Sequence, residues 1–539
     1  MNGSSVNDQT VIELKVGENS LTIWKRKYKE RIYSYRICCI DLQRRDSEVA
    51  IGFDENQDST NIADNDSSDS LSAIEICVLN DKENQFTKQE QFGRVYKPSE
   101  YVMLRSNTFD RQKLAFMVDF YLHDVYRSPL AIPEHIGFCY ILPSNLPESW
   151  GTCTMPITGT KRQPIGQLSV EYLVIKPLNG LNNEVFMSNC NNGHLFHGVF
   201  LDVGHRGAGN ARRTDKVENV LENTVASFNY ASTHGADMVE LDVQLSKDLQ
   251  PVIYHDFHIN IALKKKKSTT DDESLQVDVK DLTAQQLQLL KLSPVHNRKF
   301  SCIEITHHKE KYDFLDDDPQ ENQPFPTLEH VLEAVNPMCA FNIEIKYPML
   351  RRDGIWDGPQ DKHCDINDYV DIVLKTVLEH GGNRKIIFSC FHPDICSMIQ
   401  VKQKKYPLLF LTQGQTDKYP PYLDPRTSSV QMAAFFAKSH DFLGISAHWE
   451  DLFRDRSLIT FLKDRELVVF CWGDELNTHR IKQLKADGVD GVIYDKIDEY
   501  SPKHNQLFVA EAKETRKALF EAISGASEFS GSWASTSSQ

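Results

Sequence analysis

Val203-Gly204-His205-Arg206-Gly207, Glu222-Asn223-Thr224, Val239-Glu240-Leu241-Asp242-Val243 and Val252-Ile253-Tyr254-His255-Asp256 make up the stretch, residues 203–256, on which the reading of this chain turns. The first, third and fourth pieces read as barrel strands with polar residues at or near a C-terminal end, where a parallel α/β enzyme keeps its chemistry. Along a strand, residues i and i+2 point to the same face. Glu240 and Asp242 therefore project together, while Leu241 and Val243 face the other way, into a helix layer. Two neighbouring carboxylates repel unless a proton or a cation lies between them. An all-oxygen ligand set suits a hard divalent ion, Mg²⁺ or Ca²⁺. A solvated strand edge also carries acids, but folding alone gives no reason for two His and an Arg beside them.

At 539 residues the chain has room for several domains and a large core. A net charge of −16, with no basic recognition element, argues against nucleic acid as a partner. No basic-then-apolar leader and no apolar run of membrane-spanning length is present. The twelve cysteines lack framework spacing, and several, such as Cys38, Cys39 and Cys390, fall inside expected strands. They read as small buried apolar residues of a reduced, cytoplasmic protein.

Working outward to the N-terminal side, residues 1–178 alternate apolar and polar in short runs. Examples are Val11-Ile12-Glu13-Leu14-Lys15-Val16, Tyr33-Ser34-Tyr35-Arg36-Ile37 and Leu114-Ala115-Phe116-Met117-Val118-Asp119-Phe120. The pattern predicts an antiparallel β-sandwich. Residues 54–70, rich in Asp, Asn and Ser, read as a mobile acidic loop, and 179–198 as a linker. From 199 to 510 the rhythm changes to strand then helix. Strands are expected at 341–346, 385–389, 408–412, 442–446, 467–472 and 491–495, besides those ending at Gly204 and Asp242. Eight strands alternating with helices predict a closed (β/α)₈ TIM barrel. The runner-up, an open doubly wound sheet, lacks a Gly-rich phosphate loop. Residues 264–273 and 307–323 read as exposed insertions. The tail at 511–539 reads as helical, then disordered.

On such a barrel the polar strand-end residues converge on one mouth. Glu240, Asp242 and Glu344 could share one divalent ion, and Arg206 and Lys346 offer donors matched to phosphate oxygens. His205 and His255 offer a base and an acid near neutral pH, and Trp472 an aromatic platform. Singly, each has a dull alternative: a structural His, a Glu344–Lys346 ion pair, a core Trp. Together they describe displacement at a phosphodiester. Sugar isomerases on the same barrel have less use for the Arg and Lys.

The ordered set Gly204-His205-Arg206-Gly207, Glu222-Asn223-Thr224, Glu240-Leu241-Asp242, His255-Asp256, Asn342-Ile343-Glu344-Ile345-Lys346 and Phe470-Cys471-Trp472-Gly473 resembles the glycerophosphodiester phosphodiesterase family. Arg352-Asp353-Gly354-Ile355-Trp356-Asp357-Gly358 and Tyr406-Pro407-Leu408-Leu409-Phe410-Leu411-Thr412-Gln413-Gly414 resemble its cytosolic glycerophosphocholine phosphodiesterase branch. The resemblance implies Glu240, Asp242 and Glu344 as metal ligands, and His205 and His255 as the acid–base pair. It implies Arg206 and Lys346 on the phosphate, and Glu222 orienting its neighbours. It further implies hydrolysis of sn-glycero-3-phosphocholine to glycerol 3-phosphate and choline; a small pocket with an aromatic wall around Trp472 would favour choline, whose cation prefers π-faces. The β-region resembles the branch's middle domain, expected to be C2-like, for which contact with a membrane would be peripheral at most. The starch-binding module that precedes it in the branch is not found here, so glycogen or starch binding is not expected of this chain. Two rival readings are a lysophospholipase D or phospholipase C-like barrel enzyme, marked by a deep apolar channel, and a non-catalytic regulatory barrel, marked by loss of a ligand or a His.

Overall fold

The computed structural model describes residues 8–29, 31–43, 74–80, 82–123, 132–178, 200–209, 220–262, 274–293, 302–304, 320–360 and 364–501. The expected acidic loop, linker, 264–273 insertion and C-terminal tail lie outside the described residues, as does most of 307–323. The chain divides into two compact units, Met1–Leu178 and Asn179–Gln539.

The first unit is all-β and antiparallel among its described residues, an eleven-strand sheet wrapped around one apolar core. Alternation explains the packing. Tyr33, Tyr35 and Ile37 on one strand and Phe116, Val118 and Phe120 on its partner all enter that core. One long strand, Trp150–Gly159, is not evident in the sequence because Gly151, Pro156 and Gly159 look like turn signals. It pairs along its length with Pro164–Ile175, whereas on its other side pairing is confined to Thr158 and Gly159. The missing N–H of Pro156 therefore costs no ladder bond on that open side.

The second unit contains the barrel: β1 (Leu201–Gly204), β2 (Met238–Leu245), β3 (Ala340–Ile345), β4 (Ile386–Cys390), β5 (Leu408–Thr412), β6 (Gly444–His448), β7 (Val468–Trp472) and β8 (Gly491–Tyr494). All neighbours are parallel, and β1 closes the ring by pairing with both β2 and β8. The inward face changes character along each strand. Met238 of β2, Ala340 of β3, Ile387 of β4 and Val468 and Phe470 of β7 fill the lower interior with apolar side chains. Two or four residues further on, the same face carries Glu240 and Asp242, Asn342 and Glu344, Ser389, and Trp472. Apolar packing holds the barrel shut beneath, and the polar layer opens above it.

One expected barrel strand is not one. Pro251–Ile253 runs antiparallel to β2, with Val243 opposite Ile253 and Leu245 opposite Pro251. The turn at Ser246–Gln250, with Leu249 at φ 59°, reverses the chain so tightly that a parallel crossover is impossible. Beyond it lies a small sheet that the sequence did not suggest: His258–Ala262 and Ser274–Asp278 pair as a ribbon, joined by Cys302–Glu304 and Lys291–Ser293.

Candidate active site

The loop after β1 is built around left-handed backbone. Arg206 has φ 49° and Gly207 φ 86°, and a Cβ on Gly207 would lie 2.4 Å from Ser227 Oγ. That close approach matters because Ser227 Oγ donates to the Arg206 carbonyl (2.9 Å) and accepts from the Ala208 amide (2.8 Å). Ser227 sits in the first turn of helix Val225–Thr233, capped by the Thr224 hydroxyl. The helix start thereby clamps the loop. The clamped Arg206 amide donates to Glu240 Oε2 at 2.8 Å.

Glu240, Asp242 and Glu344 each offer an oxygen, and these oxygens lie within 4.8 Å of one another. Glu240 and Asp242 are buried and Glu344 half-buried. Asp242 Oδ2 accepts from Asn223 Nδ2 at 2.9 Å, and Asn223 (φ 57°) hangs in turn from the Arg206 carbonyl. Asp242 Oδ1 is buried without a hydrogen-bond partner. Lys346 Nζ lies 2.9 Å from Glu344 and 3.8 Å from Asp242 Oδ1. Arg206 lies 3.0 Å from Glu222 and 3.6 Å from Asp242.

Burial and the adjacent Asp242 charge push the Glu240 carboxyl well above the usual carboxylate range. Burial would raise Asp242 too, but the charges of His255, Lys346 and Arg206 and the Asn223 amide hold it well below the usual carboxylate range. Against burial, Glu344 and Asp242 raise the Lys346 ammonium. Three converging carboxylates, one with an orphaned buried oxygen, fit a hard cation; such an ion would let all three ionise together.

Both expected histidines are backed by carboxylates. His205 Nδ1 is 2.6 Å from Asp495 Oδ1, and His255 Nδ1 is 2.6 Å from Asp256 Oδ1. Each Nδ1 must carry the hydrogen, which leaves Nε2 for chemistry. Burial and Arg206 pull His205 down, but Asp495 overcomes them and raises it to about 9.

A cavity of about 500 Å³ is lined by His205, Arg206, Glu240, His255, Glu344, Lys346 and Trp472, so seven of the nine expected residues meet there. Asp242 lies buried beneath, touching Arg206 and Lys346, and Glu222 stands behind Arg206. Trp472 Nε1 donates to the Thr412 carbonyl. Its ring lies 5.4 Å from Phe391 and 5.8 Å from Tyr419. Acids flank this wall: Asp357 accepts from Tyr422 at 2.8 Å, and Asp474 from Tyr419 at 3.1 Å and Lys418 at 2.7 Å. Sequence reasoning gave no role to Asp495, Asp256, Asn223, Phe391 or Tyr419. Asp256 and Asn223 stand inside the quoted motifs; nothing in the order of residues ties Asp495 to a His 290 positions away.

A profile of the glycerophosphoryl diester phosphodiesterase family matches residues 205–499, more than half of the chain. The chain belongs to this family. A GDE1-like C2 domain matches residues 6–179, so the all-β unit is C2-like. The glycerophosphocholine phosphodiesterase of Rattus norvegicus is 40% identical over 83% of this chain and 66% of its own length. That of Candida albicans is 31% identical over 63% of this chain and 31% of its own length. A glycerophosphodiester phosphodiesterase of Arabidopsis thaliana is 28% identical over 59% of this chain and 83% of its own length. The chain thus spans about two thirds of the rat relative and a third of the Candida one.

Proposed function

We propose that this chain hydrolyses glycerophosphodiesters, and sn-glycero-3-phosphocholine in particular, to glycerol 3-phosphate and choline. One observation carries the reading: a three-carboxylate cluster, two carboxylate-backed imidazoles and an aromatic wall share a single cavity of about 500 Å³. The activity named for the rat and Candida relatives agrees with it. The volume suits a small soluble diester, which favours this substrate over a lysophospholipid. Neither a carboxylate of the cluster nor either histidine is missing from the chain, which argues against a purely regulatory barrel.

Glu240, Asp242 and Glu344 would hold one divalent cation, Mg²⁺ or Ca²⁺, whose charge would stabilise the anionic phosphoryl oxygens. Arg206 and Lys346 orient the same oxygens, with Glu222 holding the Arg206 guanidinium in place. The glycerol 2-hydroxyl attacks phosphorus while one imidazole removes its proton. The other imidazole protonates the departing choline oxygen, leaving a five-membered cyclic phosphate. Water then opens the ring with the two roles exchanged, giving glycerol 3-phosphate. Trp472, Phe391 and Tyr419 present π-faces to the trimethylammonium.

The test is choline release from glycerophosphocholine with EDTA treatment and add-back of Mg²⁺ or Ca²⁺, comparing wild type with Glu240→Ala. Activity that survives both chelation and the substitution sinks the metal assignment, and no release by wild type sinks the function. Trapping of a cyclic phosphate by His255→Ala supports the two-step route; direct incorporation of labelled water without that species overturns it. We further propose a cytoplasmic location, in keeping with the ten cysteines whose side chains are described, all of them free. Among the described residues, no helix is long and apolar enough to cross a membrane.

A further inference from the structure

The ribbon beyond β2 has two faces of opposite character. Ile259 and Val277 point into a small apolar core with Val252, Val279, Leu287 and Phe325, and Ile259 is fully buried there. The other face carries two cross-strand pairs, His258 with Asp278 and Asn260 with Gln276. His258, Asn260 and Gln276 line the same cavity as the acid cluster. A polar ribbon face turned to bulk water would need no such organisation, but this one is organised. His258 Nδ1 lies 2.6 Å from Asp278 Oδ1, which fixes the ring and leaves Nε2 without a hydrogen bond among the described residues. The side-chain amides of Asn260 and Gln276 likewise have none. Three uncommitted hydrogen-bonding groups, one of them held rigid, thus border the cavity.

Their position identifies what they meet. The ribbon follows β2, whereas Phe391 and Tyr419 follow β4 and β5 and Trp472 ends β7. In the closed ring order, β2 is separated from each of these strands by at least one other, and β3, which carries Glu344 of the acid cluster, stands between β2 and β4. Resting on the function proposed above, we infer that the ribbon face is a polyol-recognition surface. In it His258, oriented by Asp278, hydrogen-bonds a hydroxyl of the glycerol moiety while the ammonium end lies on the aromatics. A hydroxyl can give its hydrogen to Nε2 and accept from the Asn260 or Gln276 amide, which a bare alkyl or aryl ester cannot.

Binding distinguishes this surface without needing turnover. The full chain, in Mg²⁺ buffer, is titrated calorimetrically with glycerol 3-phosphate and with inorganic phosphate. Wild type should prefer glycerol 3-phosphate, and His258→Ala should lose about tenfold of that preference, the worth of one good hydrogen bond. Inorganic phosphate binding should be unchanged. Gln276→Ala, at an exposed position that folding does not need, should show a smaller loss in the same direction. A wild type without preference, or variants whose preference equals wild type's, overturns the inference. A chain that shows the preference yet fails to release choline from glycerophosphocholine leaves the polyol surface standing and rejects the proposed reaction.

Discussion

Asn223 shows how much a single side chain can settle. Its left-handed backbone hangs it from Arg206, and its amide pins Asp242 Oδ2, leaving the buried Oδ1 without a hydrogen bond and 3.8 Å from Lys346 Nζ. Groups that orient a metal ligand typically control affinity by ten- to a hundredfold. Asn223→Ala should therefore raise the Mg²⁺ concentration for half-maximal activity by about tenfold or more. A metal titration of choline release checks this, and an unchanged midpoint would remove Asn223 from the site. Trp472 makes the complementary case at the headgroup. Its contacts with Phe391 and Tyr419 give a cation a choice of ring faces, worth about 0.5–2 kcal/mol. Trp472→Ala should lower kcat/KM for glycerophosphocholine about tenfold relative to glycerophosphoglycerol, which has no cation. Equal losses on both substrates would make Trp472 a packing residue only.

At the level of elements, the strand ends of β1, β2 and β3 do the gathering, and the ribbon is a separate module with its own core. That core is small, so each member counts. Truncating fully buried Ile259 to Ala leaves a cavity costing about 2–5 kcal/mol. The cost should fall on the ribbon alone: amide exchange across His258–Ala262 should quicken while β4 to β7 keep wild-type protection. Faster exchange throughout the barrel would show that the ribbon and barrel unfold together. The sequence made β1, β2 and β3 legible because apolar runs ended in acids, His and Lys. It misread Pro251–Ile253 as a barrel strand because strand direction is set by the turn, which a short apolar run does not record. It missed the ribbon because alternation over five residues beside a Lys run looks like a polar insertion.

For the whole molecule, charge gives the sharpest prediction. The chain carries −16, and glycerophosphocholine is a zwitterion of zero net charge. Long-range repulsion therefore should not slow its encounter, whereas a diester such as glycerophosphoglycerol carries one negative charge and is repelled. Raising ionic strength from low to physiological should increase kcat/KM several-fold for the anionic diester and leave that for glycerophosphocholine nearly flat. Parallel salt profiles would mean that the local field of Arg206 and Lys346 outweighs the net charge.

By itself the sequence picked out the polar groups that the barrel brings together. Glu240 and Asp242 on one strand face, Glu344 and Lys346 on the next, and His205 and His255 beside them follow from the two-residue period of a strand and from strand ends being the open rim of a barrel. Only the tertiary structure decided who holds those groups in place. The Asp495 carboxylate reaches His205 because β8 closes against β1, and Asp278 aligns His258 because two strands meet in register. Local periodicity is written in neighbouring residues and can be read from them. Partnership across a closed barrel is set by the packing of the whole core, which no short stretch of chain contains.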